Sequence, residues 1–129
     1  MTSKQAFDEL VERYRKSPEF YFVKFLDANQ TGLTGDTLLH AAVIRGNVAD
    51  IDILISAGAR VDIAGDLGNT PLHHAASRGL VEVTQKLLQT GADPSVRNEF
   101  GQTPLDLASL MKRQKVVDVF KSTSLRTRK

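Results

Sequence analysis

The chain contains no cysteine, so disulfide bonds, thiolate zinc sites and a cysteine nucleophile are all excluded. It also lacks any apolar run that approaches the about 18 residues of a membrane-spanning helix. Its first 25 residues mix acidic and basic side chains rather than following the pattern of a signal peptide. From these absences we expect a cytoplasmic protein that does not associate with a membrane.

The motifs of common catalytic sites are absent as well. There is no Gly-x-x-x-x-Gly-Lys phosphate loop, no Gly-x-Ser-x-Gly nucleophile elbow and no His-Glu-x-x-His zinc motif. The acidic residues are scattered and form no pair suited to acid–base catalysis. The adjacent His73 and His74 would point about 100° apart on a helix, so they could not both bind one metal ion. We therefore predict no enzymatic activity, no cofactor and no metal site.

What the chain does contain is a repeat with a period of 33 residues. Segment 68–79 has related segments 33 residues before and after it, so that Thr37, Thr70 and Thr103 occupy one position. Gly-Ala pairs at 58–59 and 91–92 follow the same offset. A fixed period in this range indicates stacked supersecondary units. A length of 129 residues suits a single domain built in this way.

The repeated residues explain why each unit would fold as a pair of helices. Thr70 can cap a helix that begins at Pro71, where a missing N–H costs nothing. Gly79 can end that helix. A second helix is expected to follow, with its apolar residues at helical spacing in two successive repeats: Val48, Ile51, Leu54 and Ile55, then Val81, Thr84, Leu87 and Leu88.

The period, the Thr-Pro-Leu-His-x-Ala core and the Gly-Ala-Asp turn resemble ankyrin repeats, over residues 32–122. The resemblance implies an all-α solenoid of stacked helix pairs with projecting hairpin loops. It also implies that His40 and His73 form hydrogen bonds to loop backbone. A tetratricopeptide array would need a tryptophan, which the chain lacks. The expected organisation is a single domain with a helical cap, three repeats and a basic tail, at 1–31, 32–64, 65–97, 98–122 and 123–129.

The N-terminal cap lacks the repeat signature but has its own helical pattern. Phe7, Leu10, Val11 and Tyr14 form one stripe, and Ser17-Pro18 is typical of a cap followed by a first helical residue. A second apolar helix is expected from Phe20 to Leu26. Six of the eight aromatic residues lie in this region: Phe7, Tyr14, Phe20, Tyr21, Phe22 and Phe25. They would close the end of a short stack, and an aromatic binding pocket is the alternative.

The other end of the stack is capped by polarity. The third repeat has Asp106 in place of histidine and Lys112 in place of glycine. In the last helix, Val116, Val117 and Phe120 are expected to face inward, and Lys115, Asp118 and Lys121 to face water. Residues 112–129 hold seven Lys or Arg against one acid, Asp118. We expect a solvated last helix and a frayed tail from Ser122, and contact with nucleic acid or an acidic partner is the alternative.

A partner-binding surface is expected where the repeats disagree, because the shared residues maintain the fold. In ankyrin proteins this is usually the concave side, made of the hairpin tips and the exposed side of each first helix. The resemblance assigns to it Leu33, Asp36, Ile44, Arg45, Asp66, Leu67, Asn69, His74, Ser77, Arg78, Arg97, Glu99, Phe100, Gln102, Leu110 and Met111. Apolar side chains beside arginines have the composition of interface hot spots. Packing of Leu67 and Phe100 against neighbouring tips is the alternative.

These features predict a monomer that binds another protein without catalysing a reaction. His74 replaces Ala41 and Leu107 of the other repeats and is expected to be a surface histidine that faces the partner. The layout also resembles that of small bacterial ankyrin immunity proteins, which implies a toxin or an inhibited enzyme as the partner. A nucleic-acid-associated or regulatory factor that uses the basic end is the second reading.

Overall fold

The computed structural model describes residues 2–21 and 28–127, with side chains described as far as Thr123. These residues form seven α-helices: α1 (Ser3–Tyr14), α2 (Leu38–Arg45), α3 (Val48–Ser56), α4 (Pro71–Ser77), α5 (Val81–Gln89), α6 (Pro104–Leu110) and α7 (Gln114–Thr127). Within this part of the chain there is no β-strand, and a single antiparallel bridge joins Thr31 to Thr37. The prediction of an all-α solenoid is confirmed.

The first helix of each pair begins in the same way. Thr70 caps α4 by accepting a hydrogen bond from the His73 N–H, and the Thr70 N–H donates to His73 Nδ1 at 3.0 Å. Thr37 and His40 repeat this reciprocal cap at α2. At α6 the carboxylate of Asp106 takes the place of the imidazole. The expected start of each first helix at its threonine is therefore confirmed.

A left-handed residue follows each of these helices. Gly46 ends α2 with φ 67°, and Gly79 follows α4 with φ 73°. Lys112 takes the same position after α6 with φ 58°, where a side chain is disfavoured. The third helix pair therefore keeps the left-handed turn but has lysine in place of the glycine that favours it.

Small side chains bring the first helices close together. Helix α4 packs between α2 and α6, while α5 packs against α7. Ala42, Ala75, Ala76 and Ala108 are fully buried along the first helices, which allows their backbones to approach. Leu72 of α4 is also fully buried, so one continuous core runs through the stack.

The N-terminal helix covers one end of this core. Leu10, Val11 and Tyr14 of α1 are buried as predicted, and α1 packs against α3. Ser17 and Pro18 stand at the cap and first positions as expected, but the Ser17 side chain makes no capping bond and the element they begin is only a 3₁₀ turn, Pro18–Phe20. The helix expected from Phe20 to Leu26, with Phe22 and Phe25, lies largely outside the described residues.

An ion pair between the half-exposed side chain of Arg13 and the buried carboxylate of Asp50 holds α1 to α3. Asp50 is 3% exposed and accepts hydrogen bonds from the Arg13 guanidinium at 3.0 and 2.7 Å and from the Tyr14 hydroxyl at 2.8 Å. The bonds from Arg13 lower the pKa of Asp50, so the carboxylate remains charged. The contact joins residues 37 positions apart, which explains why the repeat pattern did not reveal it.

The C-terminal helix covers the other end. Val116, Val117 and Phe120 are buried, and Lys115, Asp118 and Lys121 are exposed, as predicted. Helix α7 continues to Thr127, past Ser122, where the tail was expected to begin. Arg128 and Lys129 lie outside the described residues.

None of the helices in the described residues is both long enough and apolar enough to cross a membrane.

The backbone at Lys112 gives a first prediction. Because Lys112 adopts φ 58°, we expect Lys112→Gly to raise the free energy of unfolding by about 0.5–1 kcal/mol. Urea denaturation measures this change. The matched control is Lys121→Gly, which places glycine inside helix α7 and should lower stability by about 1 kcal/mol. Equal losses in both variants would show that the turn at Lys112 carries no strain.

Candidate partner-binding surface

Three short loops project between the helix pairs, and we call them tip 1 (residues 32–36), tip 2 (residues 65–69) and tip 3 (residues 98–102). Each tip is closed by a hydrogen bond from its first N–H to its last carbonyl, at 2.8, 2.8 and 2.9 Å. Its fourth residue is a glycine with positive φ in all three cases. The tips therefore share their closing hydrogen bond and their glycine, but they differ in their side chains and, at Leu67, in backbone conformation.

The histidines fix each following tip to a helix start. Nδ1 of His40 accepts the Thr37 N–H, so Nε2 carries the proton and donates to the Asn69 carbonyl at 2.9 Å. His73 makes the same bond to the Gln102 carbonyl at 2.8 Å. The expectation that these imidazoles bind loop backbone is confirmed.

Neighbouring tips are also joined directly. The Asp66 N–H donates to the Asp36 carboxylate at 2.8 Å, and the Glu99 N–H donates to the Leu67 carbonyl at 3.0 Å. Between tips 2 and 3, the Asn98 amide adds a bond to Asn69 Oδ1 at 3.0 Å. The row of tips is thus held together by polar groups rather than by its apolar side chains.

Large apolar side chains are exposed along this row and at the end of α6. The described residues have six exposed large apolar side chains, and five were assigned to the partner surface from the sequence. They are Leu33, Leu67, Phe100, Leu110 and Met111, between 47% and 70% exposed. None of the five belongs to the described core or packs against it. The alternative reading, in which Leu67 and Phe100 stiffen the row by packing, is not supported by this exposure.

Leu67 is exposed on a disfavoured backbone. Its φ is 57°, in the left-handed region, where an L-residue with a branched side chain costs about 1–2 kcal/mol relative to glycine. Its side chain is 47% exposed and so recovers little of that cost by burial. Exposed apolar area on a strained loop is a feature that folding alone does not explain.

The two arginines at the ends of the first helices are not equivalent, although they occupy one repeat position. Arg45 lies over the Tyr14 ring at 4.0 Å and donates to the Ser17 hydroxyl at 2.5 Å. Arg78 is exposed and forms no hydrogen bond or ion pair through its guanidinium with the described residues. Arg45 therefore belongs to the packing of the cap, while Arg78 is available to a partner.

Two predicted contact residues are corrected by the structure. Asp36 is 7% exposed, and its carboxylate holds tip 2 instead of facing outward. Gly65 makes room for it, because a Cβ at residue 65 would lie 2.1 Å from the Asp36 oxygen. His74 is not the expected surface histidine, because it is half-buried and its Nε2 atom is buried.

The other predicted residues divide by exposure. Asp66, Arg97 and Glu99 are exposed, although Arg97 donates to the Gly101 carbonyl at 2.7 Å. The half-buried members are Ile44, Asn69, Ser77 and Gln102.

Asn98, which was not predicted, organises tip 3, since its Oδ1 accepts the N–H groups of Phe100 and Gln102 at 3.0 Å. The sequence does mark Asn98 as different, because the other two tips have glycine at this position.

A family model for ankyrin repeats in three copies matches residues 5–98 and again residues 53–124. The chain belongs to the ankyrin repeat family. Ankyrin repeats are generally protein–protein interaction modules and the family is typically non-catalytic. The match includes the segment from residue 5, in which the 33-residue signature was not apparent. A comparison with curated proteins finds no match.

The apolar side chains of the tips are exposed to solvent. A groove of about 340 Å³ lies between α5 and α7, lined by Gln85, Leu88, Gln89, Lys115, Asp118, Val119, Ser122 and Thr123. None of these residues was assigned to the partner surface. A surface of exposed side chains on projecting loops suits a protein partner better than a small molecule.

The correction at Asp36 can be tested by paired variants. Asp36→Ala removes a buried acceptor and leaves the Asp66 N–H unpaired, so we expect a loss of about 1–3 kcal/mol in the free energy of unfolding. Asp66→Ala, at an exposed side chain, should change stability by less than about 0.5 kcal/mol. Chemical denaturation measures both. If Asp36→Ala is as stable as Asp66→Ala, the bond between tips 1 and 2 does not contribute to folding.

Proposed function

We propose that this ankyrin protein binds a partner protein through its tips and the ends of its first helices, without catalysing a reaction. The observation that carries the proposal is the exposure of Leu33, Leu67, Phe100, Leu110 and Met111 on surfaces that the fold leaves uncovered. These side chains occupy positions at which the three repeats differ, so the repeat itself does not require them.

The energetics of such a surface favour association. Apolar side chains that are 47% to 70% exposed can each remove further apolar area from water when a partner covers them. Arg78 adds an unpaired cation, and arginine is enriched among the residues that dominate binding energy. The polar bonds between tips hold these groups in place, which lowers the entropy cost of binding.

A more specific proposal is that binding inhibits the partner. The helices of the described fold stack on one another or cap the stack. We therefore assign to the protein an action that needs only binding, in which it covers a surface of its partner. The resemblance to small ankyrin immunity proteins supports a toxin or another enzyme as that partner. Loss of the partner's activity on addition of the purified protein tests this step separately from binding.

Contact with nucleic acid through the basic C-terminal end is the competing function. Lys112, Lys115 and Lys121 are exposed there, whereas Arg113 donates to the Ser77 carbonyl at 3.1 Å. Phosphate contacts would make the binding constant fall steeply with salt concentration. An apolar surface around Phe100 would be much less sensitive to salt, so a salt series separates the two functions.

The variants Phe100→Ala and Arg78→Ala should weaken partner binding by about 10-fold or more, because each removes a candidate hot-spot side chain. Their unfolding transitions should remain close to that of the wild type, since both side chains are exposed. The partner is first isolated by affinity capture from the native cell, and its affinity for each variant is then measured by calorimetry.

Two controls accompany this measurement. Lys121→Ala removes an exposed cation of α7, outside the tips and the ends of the first helices, and should leave protein binding unchanged, whereas a nucleic-acid ligand would lose affinity. Leu87→Ala empties a fully buried position and should cost about 2–5 kcal/mol of stability. Unfolding of Phe100→Ala would instead assign tip 3 a structural role and remove the centre of the proposed interface.

A further inference from the structure

His74 places a titratable ring at the contact between the first two helix pairs. Its Nε2 atom is buried and makes no hydrogen bond with the described residues. Its ring meets that of His40 on α2 edge to face, with ring centroids 6.0 Å apart and planes at 82°. The other repeats have Ala41 and Leu107 at this position, so an imidazole is not needed to build the contact.

The charged and titratable groups around His74 would do little to stabilise a positive charge on its ring. His40 lies on α2, Asp36 precedes α2, His73 lies on α4 itself, and Arg78 directly follows α4. Asp36 is the one acid among these, and its carboxylate already accepts the Asp66 N–H. The remaining ionisable groups on the helices packed against α4 have other surroundings. Arg45 of α2 lies over the Tyr14 ring, Asp106 is exposed and bonded to Thr103, Lys86 pairs with Asp52, and Glu82 is exposed.

His40 also depends on its neutral form. Its Nδ1 accepts the Thr37 N–H, and a proton on Nδ1 would abolish that bond. Its Nε2 holds the carbonyl of Asn69 in tip 2. The two neighbouring imidazoles therefore link α2 to α4 and to tip 2. On protonation, His40 loses its bond from Thr37, and His74 gains a buried charge that has no hydrogen-bond partner.

We propose that His40 and His74 form a proton-operated joint between the helix pairs α2–α3 and α4–α5, closed while both rings are neutral and loosened as the pH falls below neutrality. Opening separates α2 from α4 and releases tip 2 from both His40 and Asp36. His73 holds tip 3 through the same two bonds, but no histidine of α6 faces it, so the contact between α4 and α6 loosens less than the contact between α2 and α4.

The direction of the effect follows from the protonation equilibria. Burial, followed by the nearby His40, lowers the pKa of His74 from 6.5 to about 4, and burial also lowers the pKa of His40. The open state therefore binds more protons than the closed state between these two values. Stability of the joint is complete above pH 6.5 and is lost as the pH falls toward 4. His74 alone would raise the opening equilibrium constant roughly 30-fold at pH 5.

Native-state amide exchange, corrected for intrinsic rates, tests the joint directly. The Asp66 amide bonds across the contact between tips 1 and 2, and the Glu99 amide bonds across the contact between tips 2 and 3. Between pH 7 and pH 5 we expect the protection factor of Asp66 to fall at least 10-fold more than that of Glu99. His74→Leu, which installs the residue of the third repeat, should reduce that difference to less than about 3-fold.

His74→Ala, the residue of the first repeat, replaces the leucine variant if that variant does not fold. The proposal is overturned if Asp66 and Glu99 lose protection equally in the wild type, or if both His74 variants keep the wild-type difference. A side-chain NMR titration supplies an independent result. Protonation of His74 near its ordinary pKa of 6.5 would show that the ring is not constrained by the fold and would also overturn the proposal.

Discussion

The structure depends on one hydrogen bond, from the imidazole Nε2 at the start of a first helix to the carbonyl that closes the next tip. It spans 29 residues in both places where it occurs, from His40 to Asn69 and from His73 to Gln102. The same ring caps its own helix through Nδ1. One side chain thus fixes a helix start, the neighbouring loop and the spacing between two repeats. At Asp106 the carboxylate keeps the capping bond, and within the described residues no further tip follows for it to hold.

The fold could be predicted from the sequence because its determinants are local and periodic. Thr70, Pro71 and Gly79 define a helix through their own backbone preferences, and the 33-residue period repeats the result. The buried faces of α1 and α7 followed from spacing in the same way. Asp50 could not be predicted, since its partners Arg13 and Tyr14 lie on another helix and outside the period.

The candidate surface was predictable in part, and its errors share a physical cause. Leu67 and Phe100 were identified correctly as exposed, because apolar residues at a projecting loop position have no core to join. Asp36 was misassigned because its burial depends on the missing side chain of Gly65 in the next repeat. Arg45 and Arg78 share a repeat position but not an environment, since only Arg45 has Tyr14 beside it. Repeat position therefore predicts backbone well and side-chain partners poorly.

The closing hydrogen bond that the tips share bears on how such a chain can change in length. Each tip closes on its own backbone and receives the preceding histidine through a carbonyl, so both contacts are independent of the tip's side chains. A duplicated copy of residues 65–97 would present the same carbonyls and the same histidine to its neighbours. The stack could therefore lengthen in whole repeats while both capped ends stay intact, and each added repeat would bring a new tip whose exposed residues are free to diverge.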